Sequence, residues 1–357
     1  MTLEGKAAGI RDRILDRVRS GLYAPGCRMP NDRDLSRDLC VSRATLGKAL
    51  RQLQQEGILT RRVGCGTFVT GSAGERVSGT RLQTIGLVSR MANTPWAMQA
   101  LEGMHEALDA LHCDIVWKTS NGDPDTKKGL VQSLAKREAD AFVVFTAYPY
   151  YSSEGAAFYE ELSRRVPVIL TDSVLYANVT CVTPDAIDAG RLAAECLLEK
   201  APSNGTFWVL RSEFMNSSFH ERVLGYVDRL RAAGVGQVLE LTCGPGSEDQ
   251  RATQIAGFLD QHGLPDGMFL LKDDWPKLLQ AALKGRRKRL QDLNVCCSDN
   301  WSNAPSIYGV PYVELPFVDT GREIARRLLR MKMEPALPPL SIRLKPRLIR
   351  EPALDRA

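Results

Sequence analysis

Hydrophobic positions recur at two spacings in this chain, and the change from one to the other divides it. Ile10, Ile14, Val18 and Leu22 fall every four residues, which marks the apolar face of a first helix. Gly21 and the Tyr23-Ala24-Pro25-Gly26 stretch are expected to end it. A second, short helix follows Pro30-Asn31, with Leu35 and Leu39 inward. Cys40-Val41 make a tight turn, and Ser42 can cap a third helix by accepting a backbone N–H. Leu46, Ala49, Leu50 and Leu53 line the buried side of that helix, while Arg43, Gly47, Lys48 and Arg51 look outward. Ile58–Arg62 and Thr67–Val69 then alternate like strands around Val63-Gly64-Cys65-Gly66, a β-hairpin with a glycine-rich tip.

Beyond residue 82 the texture changes. Eight apolar runs have strand length: Ile85–Val88, Asp114–Trp117, Ala141–Phe145, Val166–Leu170, Thr206–Leu210, Val238–Leu241, Met268–Leu271 and Asn294–Cys297. Amphipathic stretches at 98–111, 126–137, 154–165, 185–199, 217–233, 248–261 and 318–331 alternate with them. Strands alternating with helices predict doubly wound parallel sheets, and four units followed by four more predict two lobes. The segment 71–82, opening with Gly71-Ser72-Ala73-Gly74, has the polar composition of a linker. The expected fold class is an α+β head over 1–70 plus an α/β two-lobed body over 83–350. The first lobe is expected over 83–183 and 311–335, the second over 184–310 and 340–350.

Composition narrows the class. The charged share of 25% and hydrophobic share of 44% are those of an ordinary globular chain, and no apolar run approaches the roughly 20 residues of a membrane helix. The charged N-terminus reads as no signal peptide, so a cytoplasmic protein without a membrane partner is expected. Nine scattered cysteines form no CxxC pair and four histidines no ligand spacing, so neither a metal nor a cofactor is expected. Charge, by contrast, is uneven. Residues 1–70 hold thirteen basic and seven acidic side chains, against thirty-four and thirty-five in the remainder. That asymmetry suggests a polyanion-binding head on a near-neutral body.

Three short helices and a hairpin, with the third helix basic on its outer face, describe a winged helix-turn-helix. The runs Tyr23–Gly26, Met29-Pro30-Asn31-Asp32-Arg33-Asp34-Leu35, Val41-Ser42-Arg43-Ala44-Thr45, Leu53–Leu59 and Gly64-Cys65-Gly66-Thr67-Phe68-Val69 resemble the GntR family of bacterial transcription regulators. The resemblance implies that Arg33, Ser42, Arg43, Thr45, Gly64 and Gly66 face double-stranded DNA. In such a fold the third helix reads base edges, and Arg43 suits bidentate pairing with a guanine. Lys48, Arg61 and Arg62 suit phosphates, which give affinity without sequence information. Gly47 departs from the family, which carries a larger polar residue there.

Ligands of doubly wound sheets bind at the carboxyl ends of the strands. Those ends read Ser89–Trp96, Thr146-Ala147-Tyr148, Asp172-Ser173, Arg211–Phe214, Lys272–Trp275 and Ser298–Trp301, a polar set holding three of the five tryptophans. Aromatic faces beside carboxylates suit a sugar, which stacks its C–H face and offers hydroxyls. Trp96, Tyr148, Trp275 and Trp301 are the candidate stacking groups.

Ile85-Gly86-Leu87-Val88, Pro167–Asp172, Val182–Asp185 followed by Ala189–Ala194, Glu221–Tyr226, Asp273-Asp274, Ser298–Asn300 and Val318–Ala325 together resemble the effector domain of LacI/GalR regulators, a relative of periplasmic sugar-binding proteins. The resemblance implies two hinged lobes, a ligand in the cleft and a homodimer formed through the body. Its effector contacts carry over to Arg222, to Asp274 (or Asp273 one place earlier) and to Asp299, with a weaker claim for Asp172.

Joined, the two halves read as a DNA-binding transcription repressor whose affinity for a pseudo-palindromic operator is set by a small effector, expected to be a sugar. A regulator with a degenerate cleft is the alternative. An enzyme is not expected: no GxGxxG or GxxxxGK[ST] follows the first strand, and no GxSxG elbow occurs.

Overall fold

The computed structural model describes residues 3–350 except 20–21, 24–26, 40, 57, 63–65, 70–81, 92–93, 110–112, 137–138, 147–152, 173–177, 203 and 214–215. The chain forms two compact units: Met1–Gln83 with Leu108–Cys113, and Thr84–Ala107 with Asp114–Ala357.

The first unit is built from α1 (Leu3–Arg19), α2 (Asp32–Asp38), α3 (Arg43–Gln55), β1 (Leu59–Arg62) and β2 (Gly66–Val69). Ile10, Ile14, Leu35, Leu39, Leu46, Ala49, Leu50, Leu53, Leu59 and Val69 close one apolar core. Leu22 departs from the expected helical stripe; it lies past the end of α1 and is exposed. Asn31 caps α2 by accepting the Asp34 N–H at 2.9 Å, and Ser42 caps α3 by accepting the Thr45 N–H at 3.2 Å. The two strands pair antiparallel from Leu59↔Val69 to Arg62↔Gly66. A third extended piece joins them. Met29 donates its N–H to Thr67 O at 2.8 Å and Val69 donates to Cys27 O at 3.1 Å, which seats Arg28 opposite Phe68.

In the second unit β3 (Thr84–Ser89), α4 (Pro95–Leu108), β4 (Asp114–Thr119), α5 (Pro124–Ala135), β5 (Ala141–Phe145), α6 (Ser153–Ser163), β6 (Val168–Thr171) and β7 (Thr180–Pro184) build a first lobe. Then α7 (Ala186–Leu198), β8 (Phe207–Ser212), α8 (Ser217–Ala232), β9 (Val238–Cys243), α9 (Glu248–His262), β10 (Gly267–Leu270), α10 (Trp275–Ala282), β11 (Val295–Ser298), α11 (Ala304–Tyr308) and β12 (Tyr312–Glu314) build a second. Three elements finish the chain: α12 (Phe317–Met333), β13 (Ser341–Leu344) and β14 (Arg347–Ile349).

The sheets run β13-β7-β6-β5-β3-β4 and β14-β12-β11-β10-β8-β9, parallel throughout except for β14 against β12. Central strands such as β5 are buried on both faces, as helices packed on each side require. All eight expected strands form.

The lobe boundaries need correction. β12 pairs parallel with β11 and so belongs to the second lobe, although 311–335 was assigned to the first. β13 pairs with β7 in the first sheet, although 340–350 was assigned to the second. β13 is an edge strand and β12 lies one place in from the edge, and at three or four residues both are too short to carry a period of their own. The chain therefore crosses between lobes at 184–186, 314–317 and 344–347.

The two lobes repeat one plan. Strands β4, β3, β5, β6, β7 and β13 correspond in order to β9, β8, β10, β11, β12 and β14. Each lobe also has one intimate helix crossing. A Cβ on Gly103 of α4 would strike Val318 O of α12, and one on Gly321 would strike Ala100 O. In the second lobe a Cβ on Gly225 of α8 would strike Ile187 O of α7, and one on Gly190 would strike Arg222 O. Only glycine permits backbones this close.

Candidate functional site

In the first unit, α3 presents its N-terminal turn to solvent. Ser42, Arg43 and Lys48 are exposed, as is Arg33 near the start of α2, and no ion pair holds Arg33, Arg43 or Lys48 among the described residues. Other basic groups of the unit serve the fold. Arg11 clamps Glu56 with Nε–Oε1 at 2.7 Å and Nη2–Oε2 at 3.0 Å, and Arg17 pairs with Asp38.

Thr45 needs correction as an outward group. It is buried, and its hydroxyl lies 2.8 Å from Ser42 Oγ, so it closes the helix cap. Arg61 is exposed, 3.8 Å from Asp32. Gly66 adopts φ +112°, and a Cβ there would meet Arg28 Nε at 2.9 Å. Arg28 was not foreseen, because the strand that carries it is a single bridge. Gly64 and the side chain of Arg62 lie outside the described residues.

In the second unit the strand ends of the two lobes carry matched aspartates. Asp299 follows β11 at φ +65° and Asp172 follows β6 at φ +74°, a strained conformation for a residue with a side chain. Strain at such a position is a pointer to function.

Asp299, 3% exposed, is met within its own lobe. Arg222 of α8, 4% exposed, donates from Nη1 to Asp299 Oδ2 at 3.1 Å and to Ser298 Oγ, and from Nη2 to Ser218 Oγ at 3.4 Å. Its guanidinium lies 5.1 Å from the Phe219 ring centroid. Asp299 Oδ1 accepts the Leu315 N–H at 3.3 Å. Burial raises the Asp299 carboxyl to about 6, against the pull of Arg222.

Asp172 is held differently. It is 9% exposed, and its buried Oδ2 has no hydrogen-bond partner among the described residues. Burial raises it to about 7, with Arg222 and then Lys127 drawing it back towards the charged form. Arg222 therefore acts on both aspartates, one in each lobe. Arg222 Nε is likewise buried without a partner.

An aromatic wall stands nearby. Trp96 lies 4.9 Å from Phe145 and 6.3 Å from Phe317, and Trp301 lies 5.7 Å from Phe317, all centroid to centroid. Trp96 comes from the first lobe, Trp301 from the second and Phe317 from the crossing between them. Phe317 was missed because the expected helix over 318–331 began one residue later.

Trp275 is corrected. It is fully buried among Trp208, Leu278 and Leu279 beneath the second sheet, where its neighbours are core residues. The two consecutive aspartates also separate. Asp274 sits 3.8 Å from Arg251 of α9, whereas Asp273 accepts the Ser302 N–H and faces Asp299 and Cys297 electrostatically. The earlier register, Asp273, is the one beside Asp299. Tyr148 lies outside the described residues.

Two groups at this site escaped sequence reasoning. Ser218 carries no motif signal beyond its i−4 spacing from Arg222. Lys127 reads as an ordinary solvated lysine of an amphipathic helix, yet it is buried. No metal-binding group of three or more His, Cys, Asp or Glu occurs among the described residues, and no described helix is long and apolar enough to cross a membrane.

Comparison with known proteins gives the same two parts. Residues 6–69 match the bacterial regulatory proteins of the gntR family, and residues 85–300 match the periplasmic binding protein domain. The chain is 37% identical over 68 residues to the histidine utilization repressor of Pseudomonas aeruginosa, covering 19% of this chain and 27% of that one. It is 22% identical over 191 residues to the arabinose metabolism transcriptional repressor of Geobacillus stearothermophilus, covering 53% and 52%. The chain thus spans about a quarter to a half of the length of these relatives.

Among solved structures, the lac repressor dimer bound to operator and the anti-inducer ONPF has a TM-score of 0.66 at 17% identity, covering 79% of this chain and 97% of that one. The transcriptional regulator CelR in complex with cellobiose has a TM-score of 0.62 at 21% identity, covering 87% and 90%. The winged head and the two-lobed body expected from the sequence are borne out.

Proposed function

The chain belongs to the family of the periplasmic binding protein domain and carries a gntR-family head, and from that premise we propose that it is a transcription repressor controlled by a small polyhydroxylated effector. One observation carries the effector half. A buried carboxylate oxygen of Asp172, without a hydrogen-bond partner among the described residues, lies within electrostatic reach of a buried arginine of the opposite lobe. A hydroxyl donor entering there satisfies Asp172, while Arg222 Nε donates to a ligand oxygen and the Trp96–Phe317–Trp301 wall takes the C–H face. Asp299 and Asp273 hold Arg222 and the 300–304 loop in position. Nothing in this set is a nucleophile beside a base, so the reading is a binding protein rather than an enzyme.

For the head, Arg43 reads a guanine, Arg33, Ser42 and Lys48 flank it, and Arg61, Arg62, Gly64 and Gly66 of the wing meet the backbone. A homodimer in the cytoplasm places two such heads on a pseudo-palindromic operator. Ligand that binds one arrangement of the lobes better than the other shifts the population, and with it operator affinity.

The test has two arms. Selection of duplex DNA from a random pool by the full chain is expected to return paired half-sites, with Arg43→Ala relaxing one position. Thermal unfolding across mono- and disaccharides and polyols is expected to give a hit, since a ligand at about a hundred times its Kd stabilises by roughly 2.7 kcal/mol. Asp172→Asn should abolish that hit. DNA selection with no thermal shift by any compound would sink the effector half and leave a ligand-independent regulator.

A further inference from the structure

The short extended piece beside β2 gives the wing an arginine that the fold does not use. Along β2 the half-buried Gly66 and Phe68 alternate with the buried Thr67 and Val69. Successive residues of a strand point to opposite faces, so Gly66 and Phe68 share the face turned away from the core. Arg28 is the antiparallel bridge partner of Phe68 and stands on that outer face too, while its neighbour Met29 joins the core. The backbone on either side of Arg28 is fixed by the bonds from Met29 to Thr67 and from Val69 to Cys27.

Gly66 leaves a gap on the outer face, and the Arg28 guanidinium occupies it. Nε, Nη2 and Cζ stand 2.9, 3.5 and 3.6 Å from where a Cβ on Gly66 would be. Arg28 is exposed, and its side chain makes no hydrogen bond or ion pair among the described residues. The acids at the start of α2 are already engaged: Asp32 lies 3.8 Å from Arg61, and Asp34 Oδ2 accepts from Asn31 Nδ2 at 2.7 Å. A planar fork of donors is thus laid along the wing with nothing to donate to, and a guanidinium of that geometry matches a phosphate.

We propose that Arg28 and Gly66 form a phosphate-binding notch on the outer face of the wing, in which Arg28 donates to one phosphate of the DNA backbone. This rests on the DNA-binding reading of the head and adds a contact to it. An arginine lying along a strand does not project to the floor of a major groove about 8.5 Å deep, so it holds the backbone and reads no base. Gly66 is the floor of the notch, since a side chain there would displace the guanidinium.

Binding of the full chain to a short mixed-sequence duplex, followed by fluorescence anisotropy over a series of potassium chloride concentrations, tests this. Each phosphate contact contributes roughly 0.9 to the slope of log affinity against log salt, so Arg28→Gln should lower that slope by roughly 0.9 per bound head. Arg28→Lys, which keeps the charge, should restore most of it. Arg37→Gln removes a charge at the other end of α2 and should leave the slope unchanged. Gly66→Ala should lose as much as Arg28→Gln, and the double variant no more than either. Selection from a random pool by Arg28→Gln should return the same base preference as the unaltered chain.

An unchanged slope in Arg28→Gln would overturn the proposal and leave the DNA-binding reading standing. So would an equal fall in Arg37→Gln, additive losses in the double variant, or a changed base preference. Failure of the unaltered chain to bind any duplex overturns this proposal and the DNA-binding reading together.

Discussion

The two lobes share a strand plan, a glycine-lined helix crossing and a strained aspartate at the same strand end, yet they treat that aspartate in opposite ways. The matched crossings align the lobes residue by residue. Gly190 and Gly321 face the carbonyls of Arg222 and Ala100, each three residues before the glycine of its own helix. Arg222 in the second lobe therefore corresponds to Ala100 in the first. Where the arginine stands, Asp299 is neutralised in place; where alanine stands, Asp172 keeps a vacant oxygen and draws on a lysine from α5 and the arginine opposite. One lobe is self-sufficient and the other is left needing a partner, which is what a sensor of cleft contents requires.

The largest effect should come from destroying the self-sufficient side. Arg222→Ala leaves Asp299 buried without its counter-charge and is expected to destabilise the body by about 3–5 kcal/mol in denaturant unfolding. A loss below about 1 kcal/mol would mean that Asp299 finds other compensation and that the contrast between lobes is false.

Next is the crossing that sets the alignment. Gly190→Ala drives a methyl into the Arg222 carbonyl and should cost roughly 1–3 kcal/mol. Unchanged stability would show that the helices separate freely.

The pH dependence sharpens the same comparison. Asp172 and Asp299 are raised from the ordinary 3.8 to about 7 and about 6, so the folded chain binds more protons than the unfolded one across that window. Their contribution to stability therefore declines as pH rises from about 4 to about 7. Lys127, lowered from 10.5 to about 8, acts the other way, its penalty being relieved as pH rises from about 8 to about 10.5. Asp172→Asn should remove the larger part of the decline in thermal midpoint between pH 4 and 7. A profile identical to that of the unaltered chain would contradict the burial of its carboxyl.

The smallest effect contrasts a glycine that has no room with one that has plenty. Nothing lies within 4 Å of a Cβ on Gly47 of α3, so Gly47→Ala should stabilise the head by about 0.5–1 kcal/mol. If operator affinity falls while stability rises, the bare backbone of α3 is itself a DNA contact.

The head was the more legible half. Its elements are local, and its caps and apolar stripe sit within a few residues of what they hold; Ser42 and Leu46 are examples. Thr45 was misjudged because outward and inward differ there by one hydrogen bond to Ser42. In the body, period and strand length gave eight strands but not β7, β12, β13 or β14, the last three being only three or four residues long and placed by partners far along the chain. Asp172, Arg222 and Asp299 were found from strand ends and family shape. Trp275 was not separable from Trp96 and Trp301, because a tryptophan after a strand looks the same whether it turns into the core or the cleft. Lys127 gave no signal, since burial of a helix lysine is decided by the strands beneath it.

The three chain crossings between the lobes have a mechanical consequence. At 184–186, 314–317 and 344–347 each strap is only a few residues long, and each contains a proline: Pro184, Pro316 and Pro346. Proline fixes φ near −65° and removes one of the two soft torsions at its position. Three short, stiffened straps leave the lobes little freedom to slide or separate. A ligand touching both lobes then works against straps with few soft torsions, so the strain of binding falls on the handful of residues that join them.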